Sequence, residues 1–233
     1  MFVLAMAFPS CARAERLRHA LFEALRDPAT WIPAAGAVAF AASGADDDVA
    51  AWAVKETPVF GSAEGARTAS SNLKTAVNLG MLATAAFRED TLSLPAWGTQ
   101  LAAALAAPNA AGPFKDISGR TRPDGSDDLS FPSGHSTAAF AYAGIGYRNI
   151  DESRFSLPVR RSLKIGLATL AAGSAWGRVE GGAHYPSDVL AGAALGNFLA
   201  VVINGTILPS DSDMRLGMSL DAGGAQVWLQ WQR

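Results

Sequence analysis

Six apolar segments of helical composition recur along the chain and constrain its fold more than any other feature. They lie at residues 30–43, 75–87, 95–107, 136–147, 162–176 and 189–204. Alanine and glycine are frequent in these segments, as is typical of helices that pack closely against one another. None of the segments reaches the ~20 uninterrupted apolar residues of a membrane-spanning helix. We therefore predict an all-α protein with a bundle of six core helices.

A predicted amphipathic helix precedes the first apolar segment. Residues 13–26 place leucines at helical spacing on one face and arginines on the others, and Asp27 followed by proline ends the pattern. The leucines of the apolar face are Leu17, Leu21 and Leu25. His19 lies on this helix among the arginines, so we expect a solvated surface histidine without a catalytic role.

The first residues of the chain are typical of an export signal. Residues 1–14 combine a short apolar run with small residues that end in Ala-Arg-Ala, although a positively charged start is lacking. This order suits a signal peptide cut after Ala14, or the remnant of a longer signal that begins upstream. We therefore expect the chain to be exported. Cys11 is the only cysteine, which excludes an internal disulfide framework and a cysteine-based zinc site.

Three polar regions interrupt the apolar pattern. Residues 44–74 are predicted to hold one exposed amphipathic helix and a loop. Residues 108–131 are rich in Pro, Gly, Asp and Ser, which predicts a long structured loop. Residues 209–233 alternate apolar and polar positions on both sides of Asp-Ala-Gly-Gly, the pattern of a β-hairpin. The predicted fold is therefore an all-α bundle with a short C-terminal β-hairpin in its tail.

The charge of the chain excludes one class of partner. Charged residues make up 17% of the sequence and the formal net charge is −2, so we expect no nucleic-acid partner. The low charge content and a mean hydropathy of +0.15 suit helices that pack in a compact bundle or in a bilayer. The sequence leaves the oligomeric state open.

Three short clusters contain the residues from which chemistry is expected. The first lies in the loop at 108–131, the second at the mouth of the helix that follows this loop, and the third just before the last apolar segment. Their residues are Lys115, Arg120 and Arg122, then Ser133, Gly134 and His135, and finally Arg178, His184 and Asp188.

Together these side chains suit a site for an oxyanion. Lysine and arginine supply cations, and the first N–H groups of the helix after Ser133 supply an anion cradle that the helix dipole strengthens. Asp188 follows His184 by one helical turn, where its carboxylate can accept from the imidazole and fix the tautomer. Because arginine binds phosphate oxygens bidentately, we expect a tetrahedral oxyanion, above all phosphate.

The three clusters resemble the signature of a known enzyme superfamily. K-x6-R-P, P-S-G-H and R-x5-H-x3-D, in this order and with these gaps, are similar to the three motifs of the phosphatidic acid phosphatase type 2/vanadium haloperoxidase superfamily. The resemblance covers residues 115–188 and implies a helical phosphatase domain at 15–208, followed by the tail at 209–233. The chain departs from the family at Gly177, where a serine usually precedes the arginine of the third motif.

The resemblance implies a role for each site residue. His184 would attack phosphorus and form a phosphohistidine, while Asp188 stabilises the cation that develops. His135 would protonate the leaving-group oxygen and then activate water for the second step. The phosphate-binding residues would act without a metal or another cofactor, and they are Lys115, Arg122, Ser133, Gly134 and Arg178.

Several alternatives stay open. The same pocket suits vanadate in a haloperoxidase, and a phosphate- or phospholipid-binding module would keep the fold without catalysis. A membrane-associated enzyme with its pocket facing the periplasm would act on a lipid phosphate, such as phosphatidate, phosphatidylglycerol phosphate or a polyprenyl diphosphate. A soluble periplasmic acid phosphatase would act on a small phosphomonoester. We take the lipid phosphatase as the working prediction, which requires His135 and His184 to face each other at one end of the bundle.

Overall fold

Each of the six apolar segments corresponds to a helix of its own, apart from at most two residues at the end of a segment. The structure, a computed structural model, describes the backbone of residues 10–88, 94–207, 214–221 and 224–231, and side chains within 14–88 and 97–206. In these ranges the elements are α1 (Ser10–Arg26), α2 (Pro28–Ser43), α3 (Ala45–Glu56), α4 (Ala63–Ala85), α5 (Leu94–Ala106), α6 (Gly112–Ser118), α7 (Gly134–Asp151), α8 (Leu157–Glu180), α9 (Pro186–Ile207), β1 (Met214–Asp221) and β2 (Gly224–Trp231). The apolar segments correspond to α2, α4, α5, α7, α8 and α9, which confirms the helical part of the predicted fold class.

Two of the predicted polar regions contain more helix than expected. Residues 44–74 hold α3 and also the first turns of α4, which begins at Ala63 and not at residue 75. The hydroxyl of Ser62 accepts from the Gly65 N–H at 3.0 Å, and this cap starts α4 ahead of its apolar run. Residues 108–131, predicted as a loop throughout, include the short helix α6.

The two ends of the chain carry the remaining predicted elements. Helix α1 begins at Ser10, inside the segment 1–14 that the sequence assigns to a signal or its remnant, and residues 1–9 lie outside the described residues. His19 on this helix is exposed, as expected. At the other end β1 and β2 pair antiparallel, with Met214 opposite Trp231. The side chains of the tail lie outside the described residues.

The turn between α1 and α2 is fixed by local bonds. The Asp27 carboxylate caps α2 by accepting from the Ala29 N–H at 2.8 Å, and Pro28 occupies the first turn, where its missing N–H costs nothing. Gly44 then separates α2 from α3 with a φ of 76°, a left-handed conformation that favours glycine. Beyond these short connections, α1 and α2 pack on α9, and α3 contacts both α8 and α9.

Helices α7 and α9 form the centre of the bundle and approach each other closely. Helices α4 and α8 pack against α7, and α1 and α2 pack against α9. A Cβ atom on Gly192 would lie 2.5 Å from the Ser133 carbonyl oxygen, and one on Gly196 would lie 2.4 Å from the Thr137 carbonyl oxygen. The two glycines therefore let α9 lie against the first turns of α7, which brings Asp188 beside the second motif.

Large apolar side chains are exposed on several helices. Examples are Leu25 on α1, Ile32 on α2, Leu105 on α5 and Ile165 on α8, which are 63%, 55%, 65% and 66% exposed. Within the part of the chain that the structure describes, one segment, Pro186–Thr206, is long and apolar enough to cross a membrane. Exposed apolar side chains thus occur on many helices and are not confined to one patch.

Candidate active site

The three motifs meet at one end of the bundle, where α7 and α9 begin and α8 ends. The Ser133 N–H donates to the Asp188 carbonyl at 2.9 Å, which joins the second motif to the third. The Asp124 N–H donates to the Gly182 carbonyl at 3.1 Å, which joins the loop after the first motif to the third. These bonds explain why residues that lie up to 73 positions apart in the sequence, from 115 to 188, share one site.

His184 is almost completely enclosed by the protein. It is 2% exposed, and its Nδ1 lies 3.7 Å from the Asp188 Oδ2, which is an electrostatic contact longer than a hydrogen bond. Burial lowers the pKa of His184 to about 4 against the opposing charge of Asp188, and Arg178 adds to the lowering. The imidazole is therefore neutral at pH 7. Since Nδ1 faces Asp188, Nε2 is the nitrogen that remains for a substrate.

Asp188 is held by residues other than His184. The carboxylate is fully buried and accepts from the Ser130 hydroxyl at 2.5 Å, the Arg120 Nη1 at 2.8 Å and the Tyr185 N–H at 2.9 Å. These three donors fix both carboxylate oxygens. The expected pairing of Asp188 with His184 is thus present as a contact, but the orientation of the carboxylate is set by its other partners.

His135 lies in the first turn of α7, beside the cations of the site. Burial lowers its pKa to about 3, and the charges of Arg178 and Lys74 lower it further. A proton on His184 would lower this pKa further, because the two imidazoles are close enough for their charges to interact. The Ser71 hydroxyl of α4 lies 3.4 Å from the His135 Nε2 and can orient the ring. His135 is therefore neutral in the absence of an anion.

Three cations surround the two imidazoles with few counter-charges. Arg122 donates through Nε to the Asp127 Oδ1 at 2.6 Å, and the Lys115 ammonium donates to the Leu129 carbonyl. The Arg178 Nε is buried and has no hydrogen-bond partner among the described residues. Burial, with the like charge of Arg122, lowers the pKa of Arg178 to about 10 and also lowers that of Lys115. A bound anion would relieve this repulsion and give the Arg178 Nε an acceptor.

Ser133 and Gly134 begin α7 as the sequence predicts. Ser133 is fully buried and is the N-cap of α7. Its hydroxyl accepts a hydrogen bond from the Ser136 N–H at 3.4 Å. The Ser136 hydroxyl is buried without a partner among the described residues. The first turn of α7, with its backbone donors, therefore lies at the end of the bundle that holds the cations.

The structure gives a physical reason for the glycine at position 177. A Cβ atom there would lie 2.7 Å from the Ala66 carbonyl oxygen and 3.0 Å from the Ser70 Cβ. Ser70 and Ser174 lock this crossing of α4 and α8, because each hydroxyl donates to the other residue's carbonyl, at 2.7 and 2.9 Å. The close packing of α4 on α8 thus excludes the serine that the family usually has.

Four residues of the site were not assigned a role from the sequence. Arg120 lies inside the first motif, so its position was visible, but spacing alone did not distinguish it from a solvated arginine. Ser71 and Ser130 belong to common residue types with no motif around them. Asp46 is one of three consecutive aspartates, and nothing in the sequence shows that it alone is buried, with 3% exposed.

A cavity of about 360 Å³ lies away from the motifs. It is lined from α7 and α9 by residues that include Tyr147, Arg148, Asn197 and Asn204, and by no motif residue. Tyr147 follows His135 by twelve helical residues, which corresponds to about 18 Å along α7. The candidate active site is therefore the motif end of the bundle and not this cavity.

Two comparisons with known proteins give a match. Residues 97–208 match the model of the PAP2 superfamily and include all three motifs. Among solved structures, the chain is similar to a transmembrane PAP2-type phosphatidylglycerolphosphate phosphatase from Bacillus subtilis, with 22% identity, a TM-score of 0.57, and coverage of 82% of this chain and 94% of that one. A comparison with curated proteins gives no match. The match to the superfamily model thus covers 112 of the 233 residues, and these residues hold the three motifs in order.

Proposed function

We propose that this chain is a phosphatase that hydrolyses a phosphate monoester or diphosphate through a phosphohistidine at His184, without a metal or other cofactor. One observation carries the proposal. A neutral, buried imidazole lies among three cations, and the buried Nε of one of them, Arg178, has no protein partner within the described residues. Such an arrangement stabilises a phosphate group that enters the site. It also supplies a nucleophile, the His184 imidazole, that can attack its phosphorus.

The first step transfers the phosphoryl group to the protein. The His184 Nε2 attacks phosphorus, the bond from phosphorus to the leaving oxygen breaks, and the imidazole becomes a cation beside Asp188. Lys115, Arg122 and Arg178 bind the phosphoryl oxygens, over which negative charge spreads in the transition state. The cations do the work that Mg²⁺ performs in other phosphoryl-transfer sites.

His135 supplies the proton transfers. A bound phosphate brings negative charge close to the imidazole, which opposes the repulsion from the arginines and raises the pKa of His135 from its value in the empty site. The protonated ring then donates to the leaving oxygen. In the second step His135 accepts a proton from water, the water oxygen bonds to phosphorus, and the bond from phosphorus to His184 breaks.

A lipid phosphate is the substrate class that we propose. The exposed apolar side chains on α1, α2, α5 and α8 and the apolar length of α9 suit a chain that contacts a membrane. The similar structure from Bacillus subtilis is named as a transmembrane phosphatidylglycerolphosphate phosphatase, which supports the same class. We place the chain at the membrane of the bacterial envelope, with its site on the periplasmic side.

Phosphate release in the presence of EDTA tests the proposal. Purified protein is given phosphatidylglycerol phosphate, phosphatidate, a polyprenyl diphosphate and a soluble aryl phosphate, and His184→Ala is compared with His19→Ala. We expect turnover of a lipid phosphate that EDTA does not change. We expect His184→Ala to abolish it and His19→Ala, a change at an exposed position, to retain it.

The other outcomes are equally informative. Preference for the aryl phosphate would replace the lipid substrate with a small phosphomonoester and favour a soluble periplasmic enzyme. Full activity in His184→Ala would contradict the proposal that the reaction passes through a phosphohistidine at His184. Absence of phosphate release from all four substrates would contradict the phosphatase, and it would favour a haloperoxidase or a phospholipid-binding module.

A further inference from the structure

We propose that Arg120 is a positioning residue for the reaction, which acts with Asp46 of α3 to hold Asp188 and the turn that carries His184. The inference rests on the proposed function of this site. Neither residue belongs to the signature positions of the three motifs, and Asp46 lies outside the residues that match the superfamily.

The Arg120 guanidinium contacts the short turn that follows His184. Its Nη1 donates to the Asp188 Oδ1 at 2.8 Å and to the Ser187 hydroxyl at 2.7 Å. Its Cζ lies 3.9 Å from the centre of the Tyr185 ring, a cation–π contact. One side chain from the first motif therefore fixes three of the four residues after His184.

Asp46 completes the arrangement from a different helix. It accepts from the Arg120 Nη2 at 3.0 Å and from the Ser187 N–H, in the first turn of α9, at 2.8 Å. It also accepts from the Ser187 hydroxyl. A carboxylate at the start of α9 is favoured by the helix dipole. Asp46 thus holds both the guanidinium and the beginning of the helix that carries Asp188.

The geometry gives these two residues control over the nucleophile. The His184 Nδ1 has no hydrogen-bond partner among the described residues, and it reaches Asp188 only as a 3.7 Å contact. The imidazole therefore cannot orient the carboxylate. Arg120 does so, together with Ser130 and the Tyr185 N–H. The Asp188 carboxylate favours one tautomer and one orientation of the His184 ring. When Asp188 moves, neither is favoured any longer.

A purely structural role predicts a different set of results. A bond that only stabilises the fold would lower the thermal midpoint and the amount of active protein, with kcat per folded molecule unchanged. A positioning role lowers kcat per folded molecule while KM changes little, because the phosphate is bound by other cations. Arg120→Lys separates the two roles further, since lysine keeps the charge and loses the planar fork that spans Asp46 and Asp188.

The first experiment compares Arg120→Ala and Arg120→Lys with Arg161→Ala, a change at an exposed arginine of α8. We expect Arg120→Ala to lower kcat about 10- to 100-fold with KM within about 3-fold, as for a small misplacement of reacting groups. We expect an intermediate kcat for Arg120→Lys and an unchanged kcat for Arg161→Ala. A kcat for Arg120→Ala within about 2-fold of the original would overturn the proposal.

A second measurement does not depend on activity. The chain has three histidines, so ¹⁵N-histidine NMR can follow each ring separately. We expect Arg120→Ala to convert His184 from one neutral tautomer to a mixture, while the exposed His19 is unchanged. Unchanged His184 resonances would overturn the positioning role. If the original protein releases no phosphate, the proposed function fails, and the NMR result still decides whether Arg120 positions His184.

Asp46→Asn tests the other half of the arrangement, with Asp48→Asn as the control on the exposed face of the same helix. We expect Asp46→Asn to lower kcat several-fold and to shift the same His184 resonances. The double variant with Arg120→Ala should be no slower than Arg120→Ala alone, because both residues act through Asp188. Independent, multiplying effects of the two substitutions would contradict a shared role.

Discussion

The two ends of α7 each lie beside a buried polar cluster, and the two clusters differ in how completely their atoms are bonded. At the motif end, the Arg178 Nε, the His184 Nδ1 and the Ser136 hydroxyl are buried without partners among the described residues. At the other end, Asn149 lies fourteen residues after His135, which is about 21 Å along the helix. We call the residues around it the Asn149 cluster: Thr84, Arg88, Gln100 and Asn149.

The Asn149 cluster uses the hydrogen-bonding capacity of its central amide. The Asn149 Oδ1 accepts from the Gln100 Nε2 at 3.0 Å and from the Arg88 Nη1 at 3.3 Å. Its Nδ2 donates to the Met81 carbonyl at 3.0 Å and to the Thr84 hydroxyl at 3.2 Å. Arg88 also forms an ion pair with Glu152. This cluster joins α4, α5 and α7 and needs no ligand.

This difference in hydrogen bonding distinguishes polar groups that stabilise the fold from polar groups that can bind a ligand. Leaving a buried polar group without a partner costs about 1–3 kcal/mol, so a chain retains such groups only where something else benefits. The motif end therefore carries an unfavourable free energy, and an anion that accepts from the Arg178 Nε removes part of it. Substitutions at the two clusters should affect stability and activity in opposite ways.

The largest effect is expected from Arg178→Gln. Removing one donor to the transition-state oxygens typically costs 10²- to 10³-fold, and we expect kcat/KM for phosphate release to fall by about this factor. We expect the thermal midpoint to stay the same or to rise, because a desolvated cation with an unpartnered Nε is lost. Arg154→Gln, at an exposed position, serves as the control. A large drop in the thermal midpoint of Arg178→Gln would show that Arg178 stabilises the fold. It would contradict the difference drawn between the motif end and the Asn149 cluster.

Asn149→Leu should give the converse result. The substitution removes the bonds to Gln100, Thr84 and the Met81 carbonyl and leaves their polar atoms buried, so we expect a loss of about 2–4 kcal/mol in the free energy of unfolding. Activity per folded molecule should remain within about 2-fold, because the cluster lies far from the motifs. Denaturant unfolding and active-site titration with vanadate give the two quantities. Unaltered stability would show that the cluster is not a stabilising one.

The sequence predicted the six core helices because their apolar segments are long and rich in small residues. It also predicted which residues meet at the motif end, since the order and gaps of the three motifs carry that information. The start of α4 was missed because the cap of Ser62 begins the helix among polar residues, where hydropathy gives no signal. Local bonds of this kind depend on geometry that composition does not encode.

The roles of Asp46 and Arg120 could not be predicted from the sequence for a related reason. Arg120 is surrounded in the sequence by other charged and small residues, and its partners come from α3 and α9. Asp46 differs from its neighbours Asp47 and Asp48 only in the face of α3 on which it lies. Pairing between polar residues that are far apart in the chain produces no periodic pattern in the sequence. These contacts could therefore be found only in the structure.

The pH dependence of stability sharpens the comparison at His184. Its pKa of about 4 in the folded chain lies below the ordinary value of 6.5, so the unfolded chain binds the proton more readily between these values. The free energy of unfolding should therefore fall as the pH drops from about 7 to about 4, with His184 contributing on the order of 2–3 kcal/mol. His184→Gln should make the profile less steep over this range, while His19→Gln should not, and His135, whose pKa is also lowered, accounts for a slope that remains. Equal slopes for His184→Gln and the original chain would contradict the burial of a neutral imidazole.

The smallest effect is expected at Gly177, which precedes Arg178 on α8. In Gly177→Ala the new methyl group would lie 2.7 Å from the Ala66 carbonyl oxygen, so α4 and α8 must move apart. We expect a loss of about 1–3 kcal/mol in the free energy of unfolding, as for other overpacked sites. Activity should also fall a few-fold, since Arg178 moves with the helix. The control Gly166→Ala lies on the same helix, where an added Cβ meets no atom within 4 Å, and it should keep full activity with no loss of stability. If Gly177→Ala loses stability without losing activity, the packing of α4 on α8 is independent of the anion site; if both fall together, the close crossing is part of what holds Arg178 in place.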